Sequence, residues 1–190
     1  MGKLILWDLI TLDGRFEGAK SWDLDWHARV WGQELEQFSL EQLHSAGALV
    51  FGRVTYQGMA TYWQTAEARS AEGEVADFMN NLPKIVFSRT LEQADWNNTR
   101  LVRDHPVEEI LRLKREAPGD LFLFGSADLA STLREHDLID EYRLVIVPLL
   151  LGAGSPLFKP SPGPVALRLL EARALPSGGV LLRYEPTRNQ

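Results

Sequence analysis

Cysteine is absent from the 190 residues, which excludes disulfides, thiolate metal ligands and a cysteine nucleophile. Basic charge is also scarce, with 20 Lys and Arg against 26 Asp and Glu and no dense basic block. That balance argues against nucleic acid or an anionic membrane surface as a partner. No apolar stretch approaches the roughly 20 residues that span a bilayer. The apolar run at the N-terminus meets a carboxylate at Asp8, too soon for a signal peptide, so the cytoplasm is the expected location. The Gly-x-Gly-x-x-Gly fingerprint is missing, so any dinucleotide phosphate must be held by another device. No His, Asp and Glu spacing suits a metal, so none is expected. Repeats, low-complexity tracts and linkers are lacking, so residues 1–190 are expected to form one domain with a sizeable core.

What is present is ordinary for a soluble chain, 45% hydrophobic and 24% charged. Residues 4–12 read as a first strand closed by the Leu12-Asp13-Gly14 turn, and residues 15–28 as a loop of functional length. A helix is expected over 30–38, followed by a capping box, Ser39-Leu40-Glu41-Gln42, that opens a short turn. Residues 48–51 and 84–88 read as strands and 66–81 as a helix with Val75, Phe78, Met79 and Leu82 on one face. A short strand over 99–102, an amphipathic helix over 107–116, a strand to Phe124 and a helix over 128–136 follow. The apolar strand 141–147 is expected at an edge or bulge because of Pro148. Residues 167–174 and 179–184 read as a terminal β-hairpin. Strands alternating with helices, then strands alone, indicate an α/β protein with a mixed sheet covered by helices.

Three of these strands end in small or polar residues: Phe51-Gly52-Arg53-Val54-Thr55-Tyr56, Phe87-Ser88-Arg89-Thr90 and Phe124-Gly125-Ser126. In α/β sheets ligands sit outside the carboxyl ends of strands, so these clusters are expected to share one crevice. Arginine forks and hydroxyls there suit phosphate oxygens, as does the helix start after Ser126.

The segment Gly52-Arg53-Val54-Thr55-Tyr56-Gln57 resembles the Gly-Arg-x-Thr-Tyr-Glu segment of the dihydrofolate reductase-like superfamily. The resembling branch contains the C-terminal reductase domain of the bifunctional riboflavin-biosynthesis deaminase-reductase. Gly125-Ser126-Ala127-Asp128-Leu129-Ala130, Leu138-Ile139-Asp140-Glu141-Tyr142 and the block from Pro148 to Phe158 follow that branch in order and spacing. So do the Thr11-Leu12-Asp13-Gly14 turn and the Leu181-Leu182-Arg183-Tyr184 strand. The zinc-binding cysteines of a deaminase half are lacking.

The resemblance implies a largely parallel mixed sheet flanked by helices, NADPH as cofactor and a stand-alone reductase domain. It implies that Gly52, Arg53 and Thr55 lie beside the pyrophosphate and the adenosine phosphate. Ser88 and Arg89 would hold the adenosine ribose and its 2′-phosphate, and Gly125, Ser126, Asp128 and Leu129 would form the turn beneath the pyrophosphate. Gln57 replaces the usual Glu, and Ser126 stands where dihydrofolate reductase has a further glycine.

Hydride transfer draws its reactivity from the cofactor, and the protein can add a proton donor. The candidates are Asp25, in the loop after the first strand, and Asp8, a carboxylate inside an apolar strand. Asp23 and Asp25 also suit capping of the next helix. Trp7 and Asp8 alternate in direction, so one of the two is expected in the cleft. Trp22 and Trp26, with Trp31, suit an aromatic wall for a flat substrate, and His27 suits titration near neutrality. Tyr56 and Trp63 read as supports, and Asp140 and Glu141 as structural.

The leading expectation is an NADPH-dependent reductase of a small unsaturated heterocycle of pterin, folate or pyrimidine type. The alternatives are a riboflavin-pathway reductase of a ribosylamino-pyrimidine phosphate and a non-catalytic NADP-binding module. A homodimer is expected through residues 144–151 and the Gly152–Gly154 loop, unless that strand is central to its own sheet.

Overall fold

The computed structural model describes residues 1–187. In chain order the strands are β1 (Leu4–Thr11), β2 (Arg15–Glu17), β3 (Ala46–Gly52), β4 (Lys84–Phe87), β5 (Thr99–Val102), β6 (Asp120–Phe124), β7 (Glu141–Val147), β8 (Ser155–Pro156), β9 (Leu167–Ala174) and β10 (Val180–Pro186). The helices are α1 (Gln33–Ser45), α2 (Arg53–Trp63), α3 (Ala66–Asn81), α4 (Pro106–Glu116) and α5 (Ala127–Glu135).

The main sheet has eight strands in the order β5-β4-β3-β6-β1-β7-β10-β9. Every pairing from β5 to β7 is parallel, and β10 runs antiparallel to both β7 and β9. Helices on both faces explain why β1, β3 and β6 are almost continuously apolar. On one face Trp7, Phe51 and Phe122 of the sheet pack against Phe38 of α1 and Met79 of α3. On the other, Leu4, Leu6 and Leu123 of the sheet pack against Ile110 of α4 and Leu133 of α5. Local signals agree with these boundaries. The Thr65 side chain accepts the Ala68 N–H at 3.0 Å to cap α3, and Pro106 opens α4.

Three expectations are corrected and one helix is added. Ser39 does not cap a turn: α1 is continuous from Gln33 and buries Ser39 beside Leu35, Phe38 and Leu43, so tertiary burial overrides a local capping pattern. Residues 53–63 form α2, which sequence periodicity misses because only Thr55 and Tyr56 are buried on it. The loop over 15–28 is partly ordered, with β2 paired to β8 and a 3-10 turn at Asp25–Arg29. β7 is internal, between β1 and β10, so Pro148 ends that strand without making it an edge. Residues 144–151 therefore offer no free strand edge to a second copy within β7.

Candidate active site

The site begins where the sheet runs out of strand. β6 stops at Phe124 opposite Trp7, whereas β1 continues to Thr11 along β7 and β3 continues to Gly52. A cavity of about 700 Å³ opens there, within the size range of small-molecule sites. It wraps around the end of β6, so Trp7, Asp8 and Leu9 all line it. The expectation that strand alternation admits only Trp7 or Asp8 fails for that reason.

One wall is made by strand ends and helix starts. Gly125 and Ser126 are consecutive left-handed residues, at φ +48° and +58°, and they turn the chain from β6 directly into α5. The Ser126 Oγ accepts the Gly52 N–H at 2.7 Å and donates to Thr55 Oγ1 at 2.9 Å. This hydroxyl ties the start of α2 to the start of α5. A Cβ on Gly125 would meet Thr55 Oγ1 at 3.2 Å, and one on Gly52 would meet Ser126 Oγ at 3.0 Å. Two helix N-termini thus share a narrow glycine-built edge of the cavity, an arrangement that favours an anion.

Gly52, Arg53, Thr55, Gly125, Ser126, Asp128 and Leu129 all line the cavity. Arg53 is exposed and donates to Gln57 Oε1 at 3.1 Å. Ser88 and Arg89 follow β4, the neighbour of β3, and lie outside the cavity wall. The exposed Arg89 pairs with Asp104 at 3.3 Å. Asp128 points to solvent and pairs with Lys159.

The facing wall is made by side chains. Phe16 and Glu17 come from β2, whose partner β8 is held by Arg15 donating to the Gly154 carbonyl at 3.0 Å. Asp13 fixes the same region by accepting the Gly152 N–H at 2.9 Å. The Glu17 carboxylate accepts the Trp22 N–H and the Ser155 hydroxyl. Trp22, at φ +63°, lays its ring on Gly58, where a Cβ would meet it at 2.3 Å. Trp22 and Trp31 line the cavity.

Trp26 does not line it. Its ring is buried in the core and donates to the Asp23 carbonyl at 3.1 Å, so it supports the loop from behind. Asp25 is a second correction, since the 3-10 turn leaves it exposed and away from the cavity. No side-chain cap is made there either. His27 lines the cavity, but burial pushes its imidazole down to about 4, so the ring is neutral at physiological pH rather than titrating there.

Asp8 keeps its place as the carboxyl of this wall. Its Oδ2 is shut off from solvent and has no hydrogen-bond partner. Burial raises the carboxyl well above its ordinary 3.8, against the lowering influence of the Leu9 and Gly125 N–H groups. Burial thus favours the protonated carboxyl over a wider pH range than an exposed aspartate has. Gln42 of α1 also lines the cavity, whereas its local sequence pointed only to the glutamine of a capping box. Phe16 and Glu17 escaped notice because β2 is only three residues long.

Tyr56 and Trp63 act as supports. The Tyr56 hydroxyl accepts the Trp96 N–H at 3.0 Å, and Trp63 lines the cavity with its indole N–H on the Met59 sulfur at 3.1 Å. Asp140 accepts the Leu4 N–H at 2.8 Å and pairs with Lys114. Burial alone would raise the Glu141 carboxyl, but Arg143 and Arg183 at 2.7 and 2.8 Å lower it to about 2. Both acidic residues are structural.

Comparison with known proteins agrees with this fold. The model of the RibD C-terminal domain family matches residues 3–181. The uncharacterized protein YyaP of Bacillus subtilis is 31% identical over 182 residues, covering 96% of this chain and 94% of its own. A protein from Shewanella sp. PV-4 named for riboflavin biosynthesis has the same fold, with a TM-score of 0.80 at 20% identity over 98% of this chain and 99% of that one. Dihydrofolate reductase from Enterococcus faecalis, solved with NADP(H), gives a TM-score of 0.65 at 15% identity over 98% of each chain. The fold is therefore dihydrofolate reductase-like, a largely parallel mixed sheet with flanking helices and a C-terminal hairpin.

Proposed function

The chain belongs to the RibD C-terminal domain family, and we propose that it is a single-domain NADPH-dependent reductase of a small unsaturated heterocycle. The observation that carries this reading is the pairing of a glycine-built, helix-capped wall with an aromatic wall that holds a buried carboxyl across one cavity. The site fits a dinucleotide because Gly52 and Gly125, where a Cβ would crowd the Ser126 and Thr55 hydroxyls at 3.0 and 3.2 Å, border the starts of two helices.

NADPH bound there would supply the hydride. Gly52, Thr55, Gly125, Ser126 and Leu129 cradle its phosphates in this assignment, while Arg53, Ser88 and Arg89 select the 2′-phosphate. Breaking the exposed Arg89–Asp104 pair for that purpose costs little. Asp8 is the group that holds and releases a proton at Oδ2. Trp22 and Phe16 cover the substrate and exclude water. Among the described residues, Arg53 and Lys159 are the cations lining the cavity, and Lys159 is already paired with Asp128. That scarcity favours a substrate without its own phosphate over a ribosylamino-pyrimidine phosphate.

Titration with NADPH and NADH, followed by tryptophan fluorescence, tests the assignment. NADPH binds more tightly in the wild type, and Arg53→Ala or Arg89→Ala narrows the gap by about tenfold or more, the worth of a charge-assisted hydrogen bond. Binding of neither nucleotide would overturn the reading, and equal losses for both would remove the two arginines from the 2′-phosphate.

We also assign a cytoplasmic homodimer. No described helix is long and apolar enough to cross a membrane. The contact belongs at β9, one of the two edges of the sheet, where Leu167, Leu169 and Leu170 are exposed. Light scattering at micromolar concentration should read a dimer, and Leu169→Glu a monomer; a monomeric wild type removes the assignment.

A further inference from the structure

We propose that Gln42 is a specificity-determining residue that donates a hydrogen bond to a ring carbonyl of the hydride acceptor, selecting lactam-type heterocycles over their amino-substituted counterparts. The inference deepens the reductase reading and rests on it. Gln42 lines the cavity from α1 and is 3% exposed. Its Oε1 accepts from Arg143 Nη1 at 3.1 Å. A guanidinium only donates, so chemistry fixes which end of the amide faces Arg143.

Arg143 cannot easily turn away. Its Nε donates to the fully buried Glu141 at 2.7 Å, and its guanidinium lies 5.5 Å from the centre of the Phe122 ring. Arg183 clamps the same carboxylate at 2.8 Å. The amide is therefore held with Nε2 as a preset donor, and Nε2 is buried without a hydrogen-bond partner. Buried donors are nearly always paired, so a free one in a cavity wall marks the place of a ligand acceptor. The other open polar atoms of the wall are Asp8 Oδ2 and His27 Nε2. Glu17 is occupied by Trp22 and Ser155.

The test compares dioxopteridine with diaminopteridine, rings of equal shape and opposite hydrogen-bond sense. Wild type binds the dioxo compound more tightly. Gln42→Leu weakens it by about tenfold and leaves the diamino compound nearly unchanged. Gln42→Glu still accepts from Arg143 but replaces the free donor with an acceptor, so it reverses the preference. A structural role alone would not produce that reversal. Should Gln42→Leu fail to fold, Gln42→Glu decides alone. Absence of a wild-type preference for the dioxo ring, or a preference unmoved by Gln42→Glu, overturns the proposal. NADPH titration of the same samples reports on the reductase reading separately, since a chain that ignores NADPH can still rank the two pteridines.

Discussion

The two walls of the cavity are built by opposite means. On one side the polar groups are backbone N–H groups and hydroxyls that already satisfy one another, as in the Gly52, Ser126 and Thr55 chain. On the other side Asp8 Oδ2, His27 Nε2 and Gln42 Nε2 are buried without partners. The first wall is held by its own hydrogen bonds across the left-handed turn at Gly125 and Ser126. The second is held by packing and by the arginine–Glu141 network behind it. A wall of backbone suits a ligand part that never changes, and a wall of open side chains suits the part that differs among relatives. The walls meet at Gly125, whose N–H is one of the groups that favours ionised Asp8.

The largest effect that would sharpen this contrast comes from Asp8→Asn. If Asp8 supplies the proton, turnover falls by between about 10²- and 10⁴-fold while NADPH affinity holds. The protonated carboxyl is the working form, so wild-type turnover is lost as pH rises through the raised value. Stability moves the other way in the variant. The folded state binds this proton more tightly than the unfolded state, whose carboxyl stays near 3.8. Wild-type stability from this group is therefore full below that value and lost as pH rises through the folded one. Thermal midpoints of Asp8→Asn should exceed those of wild type at pH 8 and converge with them at low pH. A variant with normal turnover, or with no pH-dependent gain in midpoint, would show that Asp8 is only a packing residue.

The same division explains what could be read from the chain. Gly52-Arg53-x-Thr55 and Gly125-Ser126 are local patterns in which strand end, turn and helix start lie within a few residues, so composition alone exposes them. The structure brings these two clusters into hydrogen-bond contact and leaves Ser88 and Arg89 one strand away. Asp8 was legible because a carboxylate inside an apolar strand needs a reason. Gln42 was not, because its meaning comes from Arg143, a hundred and one residues later, and from Glu141 beside it. Asp25 and Trp26 misled for a related reason. A 3-10 turn at Asp25–Arg29 sets which side chains face inward, and no sequence period announces it. α2 was hidden by its shallow burial, yet its N-terminus is half of the anion-binding edge.

A smaller effect tests whether the walls are separable. Ser126→Ala removes the acceptor of the Gly52 N–H and the donor to Thr55 without adding bulk to either glycine. Each of the two hydrogen bonds lost in this half-buried site is worth about 0.5–1.5 kcal/mol, together roughly five- to a hundredfold in affinity. NADPH affinity should fall by that factor. The pteridine preference set by Gln42 should stay where it was, because no hydrogen bond runs from Ser126 to α1 among the described residues. The thermal midpoint should drop by several degrees, consistent with a loss of that size in a chain of this length. Fluorescence titration of both ligands against the one variant supplies the comparison. If the pteridine preference shifts as much as the nucleotide affinity, the strand-end wall also shapes the acceptor, and the division into a backbone wall and a side-chain wall fails at the turn where it is drawn most sharply.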